Sequence, residues 1–193
     1  MVSIKSKREL ELMRKAGKIL AATLQLMEKH AKAGTSTAEL DKLAYEFIRK
    51  NNAHPSFKNY CGYPASICAS VNEEVVHGIP GERKLKDGDI IGIDIGVCFD
   101  GYHADAARTF CIGEVSPEAK RLFEKTRESF FEGVKKAVSG NRIGDISNAI
   151  QVFVEENGYS VVRELIGHGV GANLHEDPGV PNFGPAGKGI RLL

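Results

Sequence analysis

The sequence contains no tryptophan and only five tyrosines, and aromatic residues make up 7% of the chain. The formal net charge is +1, and no basic stretch is interleaved with aromatic residues, so composition gives no electrostatic case for nucleic-acid binding. No apolar run approaches the ~20 residues that a membrane-spanning helix needs. Residues 1–10 are charged and lack the apolar segment of a secretory signal. These absences predict a cytoplasmic protein that contacts neither membrane nor nucleic acid.

The cysteines are few and lie outside any CxxC spacing. They are Cys61, Cys68, Cys98 and Cys111. With no export signal, this spacing argues against a zinc ribbon and against a disulfide framework. We therefore expect four reduced thiols, with Cys68 and Cys98 packed in or beside strands.

Hydrophobic periodicity predicts a mixed architecture. Apolar and charged residues make up 42% and 26% of the chain, close to the globular average. Apolar residues recur at helical spacing in residues 7–32, 117–138 and 143–157 and in a helix capped by Ser36 or Thr37. Extended segments are predicted at residues 66–71, 89–97, 102–112 and 159–162. The resulting order, two helices, three strands, two helices and a strand, indicates an α+β fold.

Two aspartates, Asp94 and Asp105, lie on the two strands of a predicted β-hairpin. The run DIIGIDIGV alternates and is rich in β-branched residues, and Asp100-Gly101 is a strong turn signal. We expect the two carboxylates to face each other from one side of the sheet, with Cβ atoms roughly 4.5–5.5 Å apart. A slip of two residues would keep both on that face and lengthen the gap. Buried like charges repel, so either a proton or a cation lies between them. The alternative is a buried, hydrogen-bonded Asp94 and a solvated Asp105.

The second half of the sequence echoes the first. A shift of 106 positions aligns Lys29 with Lys135, Gly34 with Gly140, Leu40 with Ile146, Phe47 with Phe153, Ile48 with Val154 and Asn51 with Asn157. A second acidic hairpin would then fall at about positions 200 and 211. After His175 the only acids are Glu176 and Asp177. The alternative is that any two amphipathic helices ending in Asn align this well.

A later run, GHGVGANLHEDP, adds His168 and His175 to the candidate site. Carboxylates and imidazoles together form the mixed oxygen and nitrogen set that divalent transition metals prefer. Taken alone, a histidine between glycines is more often a loop residue. Tyr60 and Tyr63 flank Gly62, and a plain turn explains them equally well. The remaining histidines are expected to be surface or packing residues: His30, His54 and His103.

Three segments, VNEEVVHGIP, IDIGVCFDGYHAD and GHGVGANLHEDP, together resemble the type I methionine aminopeptidases of the pita-bread fold. The resemblance covers almost the whole chain, beginning with KSKRELELMRKAGKILA, and VNEEVVHGIP separates it from prolidase and aminopeptidase P relatives. It implies one pita-bread domain over residues 1–193, built from pseudo-two-fold halves at about 1–113 and 114–193. Each half would pair two helices with a curved antiparallel sheet, and the second half would lack its final strands.

The resemblance also implies roles for individual residues. Asp94, Asp105 and His168 would be metal ligands, while two further glutamate ligands lie in a carboxy-terminal quarter of the family that this chain does not contain. His77 and His175 match the catalytic histidines, the first near the nitrogen beyond the scissile bond and the second near its carbonyl. The positions lining the methionine pocket are Tyr60, Tyr63 and Cys68, and His77 and His175 would also bind the substrate. A monovalent cation is implied near Asn72.

The implied activity is removal of the initiator methionine from nascent polypeptides. These polypeptides are the expected partners, and the chain would meet them at the ribosome. Two divalent ions, Co, Mn, Fe or Zn, are the implied cofactors. One missing glutamate is the family's general base, so we expect the 193-residue chain to be inactive or nearly so alone. Two alternatives stay open: a non-catalytic, truncated pita-bread fragment that binds peptide, and a prolidase or aminopeptidase P relative.

Overall fold

The computed structural model describes residues 2–193. The helices are α1 Lys7–His30, α2 Thr37–Lys50, α3 Pro117–Lys136 and α4 Ile143–Glu156. The strands are β1 His54–Pro55, β2 Ile67–Val71, β3 Ile90–Phe99, β4 Tyr102–Cys111, β5 Gly167–Gly169 and β6 Glu176–Val180. All four predicted helices are present, and Ser36 is the N-cap of α2. Among the described residues, no helix is long and apolar enough to cross a bilayer.

The strand predicted at residues 159–162 is wrong, because that segment has no regular structure. Arg121 of α3 holds its beginning instead, donating to the Tyr159 hydroxyl at 3.0 Å and to the Asn157 carbonyl at 2.8 Å. A short apolar run forms a strand only when a partner strand is available, and sequence periodicity carries no information about that partner. Strands β1, β5 and β6 were not predicted, because they are two to five residues long and contain no run of β-branched or alternating apolar residues.

The chain divides into two compact units. The amino-terminal unit comprises residues 4–116 and 170–175, and the carboxy-terminal unit comprises residues 117–169 and 176–193 with residues 2 and 3. The GHGVGANLHEDP run is therefore divided, with His168 in the carboxy-terminal unit and His175 in the amino-terminal unit. The predicted halves, 1–113 and 114–193, stay a prediction.

The amino-terminal unit is built on one sheet in which β3 lies centrally, flanked by β4 on one side and by β1 and β2 on the other. Along β3 the side chains alternate, so one face packs against the helices and the opposite face carries the polar positions. The fully buried residues of this core include Met27, Leu40, Ile48, Ile67, Ile91, Ile93, Ile95 and Val97. This core fixes β3 and thereby everything displayed on its other face.

The β3–β4 hairpin turns through two residues, Asp100 and Gly101, whose φ angles are +49° and +81°. Positive φ at both central positions is the type I′ geometry that Asp-Gly favours, because its twist matches that of the flanking strands. The turn pairs Phe99 with Tyr102 and sets the register of the whole ladder. The predicted hairpin and its turn are confirmed.

In the carboxy-terminal unit, α3 packs against α4, and β5 pairs with β6. A Cβ on Gly133 would lie 2.8 Å from the Ile150 side chain, so the helices approach as closely as they do because residue 133 is glycine. At the start of α4, the Arg142 N–H donates to the Asp145 carboxylate at 2.7 Å. This bond satisfies one of the unpaired donors at a helix amino terminus.

Helices α2 and α4 show the same local design, as the sequence repeat predicts. Both are 14 residues long, and each follows a glycine with positive φ, Gly34 at +91° and Gly140 at +95°. Both end at an asparagine, Asn51 or Asn157, whose side-chain amide donates to a helix carbonyl four residues back at 2.8 Å. The repeated glycines and asparagines thus begin and end equivalent helices.

Candidate metal centre and peptide site

Asp94 and Asp105 project from the same face of the hairpin, as predicted, but they are not directly opposite. The register places Asp94 opposite Ala107 and Asp105 opposite Gly96. The two carboxylates are therefore diagonal neighbours, offset by two residues: the directly opposed pairing is not found, whereas the two-residue slip that keeps both on one face is. Diagonal positions are still within reach of each other's side chains.

The electrostatics of the pair favour a bound positive charge. Burial, the Asp94 charge and a hydrogen bond with Asp94 raise the pKa of Asp105 to about 8. The two carboxylates therefore share a proton near neutral pH, because two partly buried like charges repel. A divalent cation can replace that proton and supply the same neutralisation, so the donor set fits a divalent ion. The alternative of a solvated Asp105 is wrong, since this residue is partly buried.

His168 lies in β5 of the carboxy-terminal unit. Its Nδ1 lies 2.9 Å from the carbonyl oxygen of Gly169, an acceptor, so Nδ1 carries the proton in this contact. The neutral ring then has its lone pair on Nε2, which is the tautomer that a metal-binding histidine requires. Within residues 2–193, no three His, Cys, Asp or Glu side chains form a group able to hold a metal. The described residues therefore include the acidic pair but no complete metal-binding group.

A small apolar cluster on the amino-terminal unit contains two of the predicted pocket residues. Cys68 packs with Phe57 and Leu174, and Tyr63 lies against them. Burial raises the pKa of the Cys68 thiol to about 11, so it stays protonated and behaves as a small apolar side chain. The register also places Cys68 opposite Asp94, which puts the cluster beside the acidic pair.

Phe57 and Leu174 were not among the predicted pocket residues. Leu174 directly precedes His175, so its place in the motif could have indicated it. Phe57 follows the short strand β1, and no local pattern indicates that its ring lies over the sheet. All four cysteines are free, and Cys68 and Cys98 lie in strands, as predicted.

Tyr60 and His175 are brought together from positions distant in the sequence. The Tyr60 hydroxyl lies 2.8 Å from His175 Nδ1, and the ring centroids are 5.2 Å apart. His77 lies in an exposed loop and has a positive φ of +59°, unusual for a residue with a side chain. Two exposed apolar residues, Val76 and Ile79, flank it. Both histidines are thus displayed at the surface of the amino-terminal unit.

Asn72 uses both polar atoms of its side chain within its own loop. Its amide nitrogen donates to Asp89 at 2.9 Å, and its oxygen accepts from the Ile90 N–H at 3.0 Å. An amide oxygen has a second lone pair, so these bonds leave it able to ligate a cation. The residue therefore remains compatible with the predicted monovalent ion.

His103, expected to be a surface or packing residue, joins three segments. Its Nδ1 lies 2.9 Å from the Ser56 hydroxyl, and its backbone N–H donates to the Gly171 carbonyl at 2.8 Å. Ser56 also donates its N–H to the Gly96 carbonyl at 2.8 Å. These bonds tie β1 and the segment before His175 to the strands that carry the acidic pair. Spacing in the sequence gives no sign of this arrangement.

Comparison with known proteins agrees with this geometry. The sequence profile described as metallopeptidase family M24 matches residues 11–192. A methionine aminopeptidase of Clostridium acetobutylicum is 58% identical over 194 residues, covering 100% of this chain and 78% of that protein. The methionine aminopeptidase 1 of Bacillus subtilis is 55% identical over 192 residues, covering 100% of this chain and 77% of its own length.

Solved structures give the same result. The methionine aminopeptidase of Thermotoga maritima superposes with a TM-score of 0.96 at 42% identity, covering 100% of this chain and 78% of that one. The prolidase of Pyrococcus furiosus superposes with a TM-score of 0.84 at 23% identity, covering 96% of this chain and 54% of that one. At that identity the prolidase likeness shows the fold alone.

The chain therefore belongs to metallopeptidase family M24, a class of metal-dependent hydrolases. Within this class its similarity is to the methionine aminopeptidases, at 55–58% identity for relatives from two Clostridium species. The resemblance inferred from the motifs, the α+β pita-bread fold and the assignment as a metalloaminopeptidase are confirmed. The family also implies divalent metal ions as cofactors.

Proposed function

We propose that this chain binds the amino terminus of newly made polypeptides and contributes to removal of their first methionine, with Asp94, Asp105 and His168 as metal ligands. The observation that carries the proposal is the acidic pair, whose partly buried carboxylates hold a proton near neutral pH. Such a pair is costly unless a cation occupies it.

Each of these residues has a chemical role consistent with its surroundings. Asp94, Asp105 and His168 would hold divalent ions, which when bound would lower the pKa of water and polarise the peptide carbonyl. His175 donates a hydrogen bond to the carbonyl oxygen as negative charge develops there, and losing one such donor typically costs roughly 10²- to 10³-fold in rate. His77 holds the nitrogen of the leaving amide. These roles require a neutral imidazole with a proton facing the substrate.

The apolar cluster beside the acidic pair suits a methionine side chain. Phe57, Cys68 and Leu174 are buried together and Tyr63 is partly buried against them, which makes this region apolar and aromatic. A thioether is recognised through contact and through favourable sulfur–aromatic interactions of about 0.3–1.5 kcal/mol each. Tyr60 completes the predicted pocket at its exposed rim.

Metal binding tests the assignment of the ligands. We expect Asp105→Asn to lower the affinity for Mn²⁺ or Co²⁺ at least tenfold in calorimetric titration, because it removes an anionic ligand. Asp100→Asn is the matched control, since Asp100 lies exposed in the turn of the same hairpin and asparagine tolerates positive φ. Equal affinities for the two variants would show that the pair does not bind the ion.

Turnover of a Met-Ala-Ser peptide tests the reaction. We expect any release of methionine by the 193-residue polypeptide to require an added divalent ion, because Asp94, Asp105 and His168 are the proposed ligands. Release that is unchanged after the metal is chelated would refute this expectation. Tight binding of peptide without turnover in any metal would favour the alternative of a non-catalytic peptide-binding fragment.

Finer features form part of the same proposal. The acidic and imidazole ligands accept Mn, Fe, Co or Zn, and activity after reconstitution with each metal discriminates among them. Asn72 is the proposed ligand of a monovalent cation, so potassium should protect its loop from proteolysis more than tetramethylammonium does. We also propose a cytoplasmic location and encounter with substrates at the ribosome, which cosedimentation with translating ribosomes tests.

A further inference from the structure

Two tyrosines separated by two residues make hydrogen bonds toward the two candidate catalytic histidines. Tyr60 contacts His175, and Tyr63 contacts the carbonyl of Gly78, which follows His77. Both tyrosines are predicted to line the methionine pocket through their rings. The ring contacts alone do not explain why both residues carry a hydroxyl.

We propose that Tyr60 and Tyr63 are positioning residues, in which the Tyr60 hydroxyl selects the tautomer of His175 and the Tyr63 hydroxyl fixes the backbone that carries His77. The inference rests on the proposed function of the two histidines. It adds that one short turn organises both of them.

The Tyr60 contact can be made in two ways that differ in consequence. If the phenol donates, His175 Nδ1 is the acceptor and the proton of the neutral ring lies on Nε2. If Nδ1–H donates instead, Nε2 has no proton and the ring cannot donate through it to a substrate carbonyl. A phenol is a good donor and a weak acceptor, whereas an imidazole nitrogen is a good acceptor. The 2.8 Å contact therefore favours the tautomer that the reaction requires.

The turn that carries Tyr60 is held in an unusual backbone conformation. Asn59 and Cys61, on either side of Tyr60, have φ angles of +67° and +48°. Backbone bonds close the turn, from Asn59 N–H to the Tyr63 carbonyl at 2.8 Å and from Tyr63 N–H to the Tyr60 carbonyl at 2.9 Å. Cys61 is exposed, so burial of its side chain is not what stabilises this conformation. This conformation directs the Tyr60 hydroxyl toward His175 and the Tyr63 hydroxyl toward the Gly78 carbonyl.

The Tyr63 hydroxyl bridges two backbone segments. It lies 3.0 Å from the Ile67 carbonyl at the start of β2 and 3.0 Å from the Gly78 carbonyl. The Gly78 carbonyl also accepts from the Ala69 N–H at 2.8 Å, and the Gly78 N–H donates to the Ser70 hydroxyl at 3.1 Å. Both sides of the Gly78 residue are thus bonded to β2 or to Tyr63.

The close approach at this point requires glycine. A Cβ on Gly78 would lie 2.3 Å from the Ala69 carbonyl oxygen, closer than real Cβ atoms come. His77, which has a positive φ of +59°, directly precedes the Gly78 residue that is held against β2. Burial raises the pKa of Tyr63, so the hydroxyl keeps the proton that it donates. The Tyr63 hydroxyl therefore stabilises the backbone geometry of His77.

The tautomer of His175 can be read by nitrogen-15 NMR of the histidine-labelled 193-residue chain, with the signal assigned through His175→Asn. We expect the Nε2–H tautomer in the wild type. In Tyr60→Phe the ratio of Nε2–H to Nδ1–H forms should fall about two- to twelvefold, the equivalent of one ordinary hydrogen bond of about 0.5–1.5 kcal/mol. Tyr45→Phe is the matched control, because Tyr45 is 38% exposed, close to the 41% of Tyr60, and lies in α2.

The proposal for Tyr60 is overturned if His175 in the wild type is the Nδ1–H form, a result that needs no folded variant. It is also overturned if the ratio of Nε2–H to Nδ1–H forms changes no more in Tyr60→Phe than it does in Tyr45→Phe. Because this measurement requires neither metal nor turnover, its outcome is independent of whether the chain is an active peptidase. A correct tautomer in a protein whose Asp105→Asn and Asp100→Asn variants bind Mn²⁺ equally well would leave the positioning role intact and refute the proposed metal ligands alone.

Amide hydrogen exchange tests Tyr63. We expect Tyr63→Phe to speed exchange at Ala69 and Gly78 about fivefold, because a carbonyl that loses one of two donors opens more readily. The β3 amide of Ile95, paired with Ile67, should change much less. Equal acceleration at all three sites would indicate general destabilisation and refute a positioning role, as would no acceleration at Ala69 and Gly78.

Discussion

Replacing Gly96 by alanine tests how tightly the face that carries the acidic pair is packed. A Cβ at this position would lie 2.7 Å from the Phe57 ring and 2.7 Å from the Ser56 Cβ. The ring could rotate, but the Ser56 Cβ is fixed to backbone that is itself hydrogen-bonded to Gly96. Overpacking of this kind costs about 1–3 kcal/mol. Alanine also lowers the conformational entropy of the unfolded chain, which offsets this cost by about 0.4–1 kcal/mol.

Gly92→Ala is the matched control in the same strand, because its Cβ would meet only the Ser70 carbonyl, at 3.8 Å. In urea unfolding, we expect the free energy of unfolding of Gly92→Ala to equal that of the wild type or to exceed it by up to about 1 kcal/mol. The value for Gly96→Ala should lie about 1–3 kcal/mol below that of Gly92→Ala. Displacement of Ser56 should also disturb His103 and shift its NMR signals. Equal stability of the two variants would refute the close packing over Gly96.

Three further results are expected. The affinity of the acidic pair for Mn²⁺ should rise with pH and level off above about 8, because below the pKa of Asp105 a proton competes with the ion; affinity that is flat between pH 6 and 9 in calorimetry would contradict this. The Tyr102 hydroxyl, with Ser6, lowers the pKa of Glu9 to about 2 from 4.5, so Glu9 stabilises the fold above pH 4.5 and this contribution is lost as the pH falls toward 2. Tyr102→Phe should therefore be less stable than wild type at pH 7 and converge with it near pH 2 in urea unfolding; a constant difference would argue against the linkage. Gly34→Ala and Gly140→Ala should each cost about 1–2 kcal/mol, because both positions have positive φ with no neighbour within 4 Å; thermal melts showing unequal costs would break the equivalence of the repeat.

The local elements were predictable because their signals are local. Capping residues and helical periodicity gave the four helices, and Asp100-Gly101 gave the hairpin turn. The offset between Asp94 and Asp105 was also available, since a two-residue turn pairs Phe99 with Tyr102 and fixes every later pair.

What escaped prediction depends on contacts between distant segments. Phe57 and Leu174 meet beside Cys68 although they are far apart in the sequence, and apolar residues in loops have no periodicity to reveal their partner. The Tyr60–His175 bond joins residues 115 positions apart. The motifs therefore identified which residue types belong to the site, whereas the hydrogen bonds that orient them arise only from the tertiary fold.

The two-residue turn after β3 makes the length of this hairpin a constraint on the site's chemistry. Inserting a single residue there would slide β4 by one position and turn Asp105 toward the side of Ile93 and Ile95, because side chains in a strand alternate faces. A change of two would restore the face while altering the distance to Asp94. Hairpin tips normally tolerate insertions well. At this tip, an insertion of one residue should abolish metal binding, whereas an insertion of two residues should keep Asp105 on the face of Asp94.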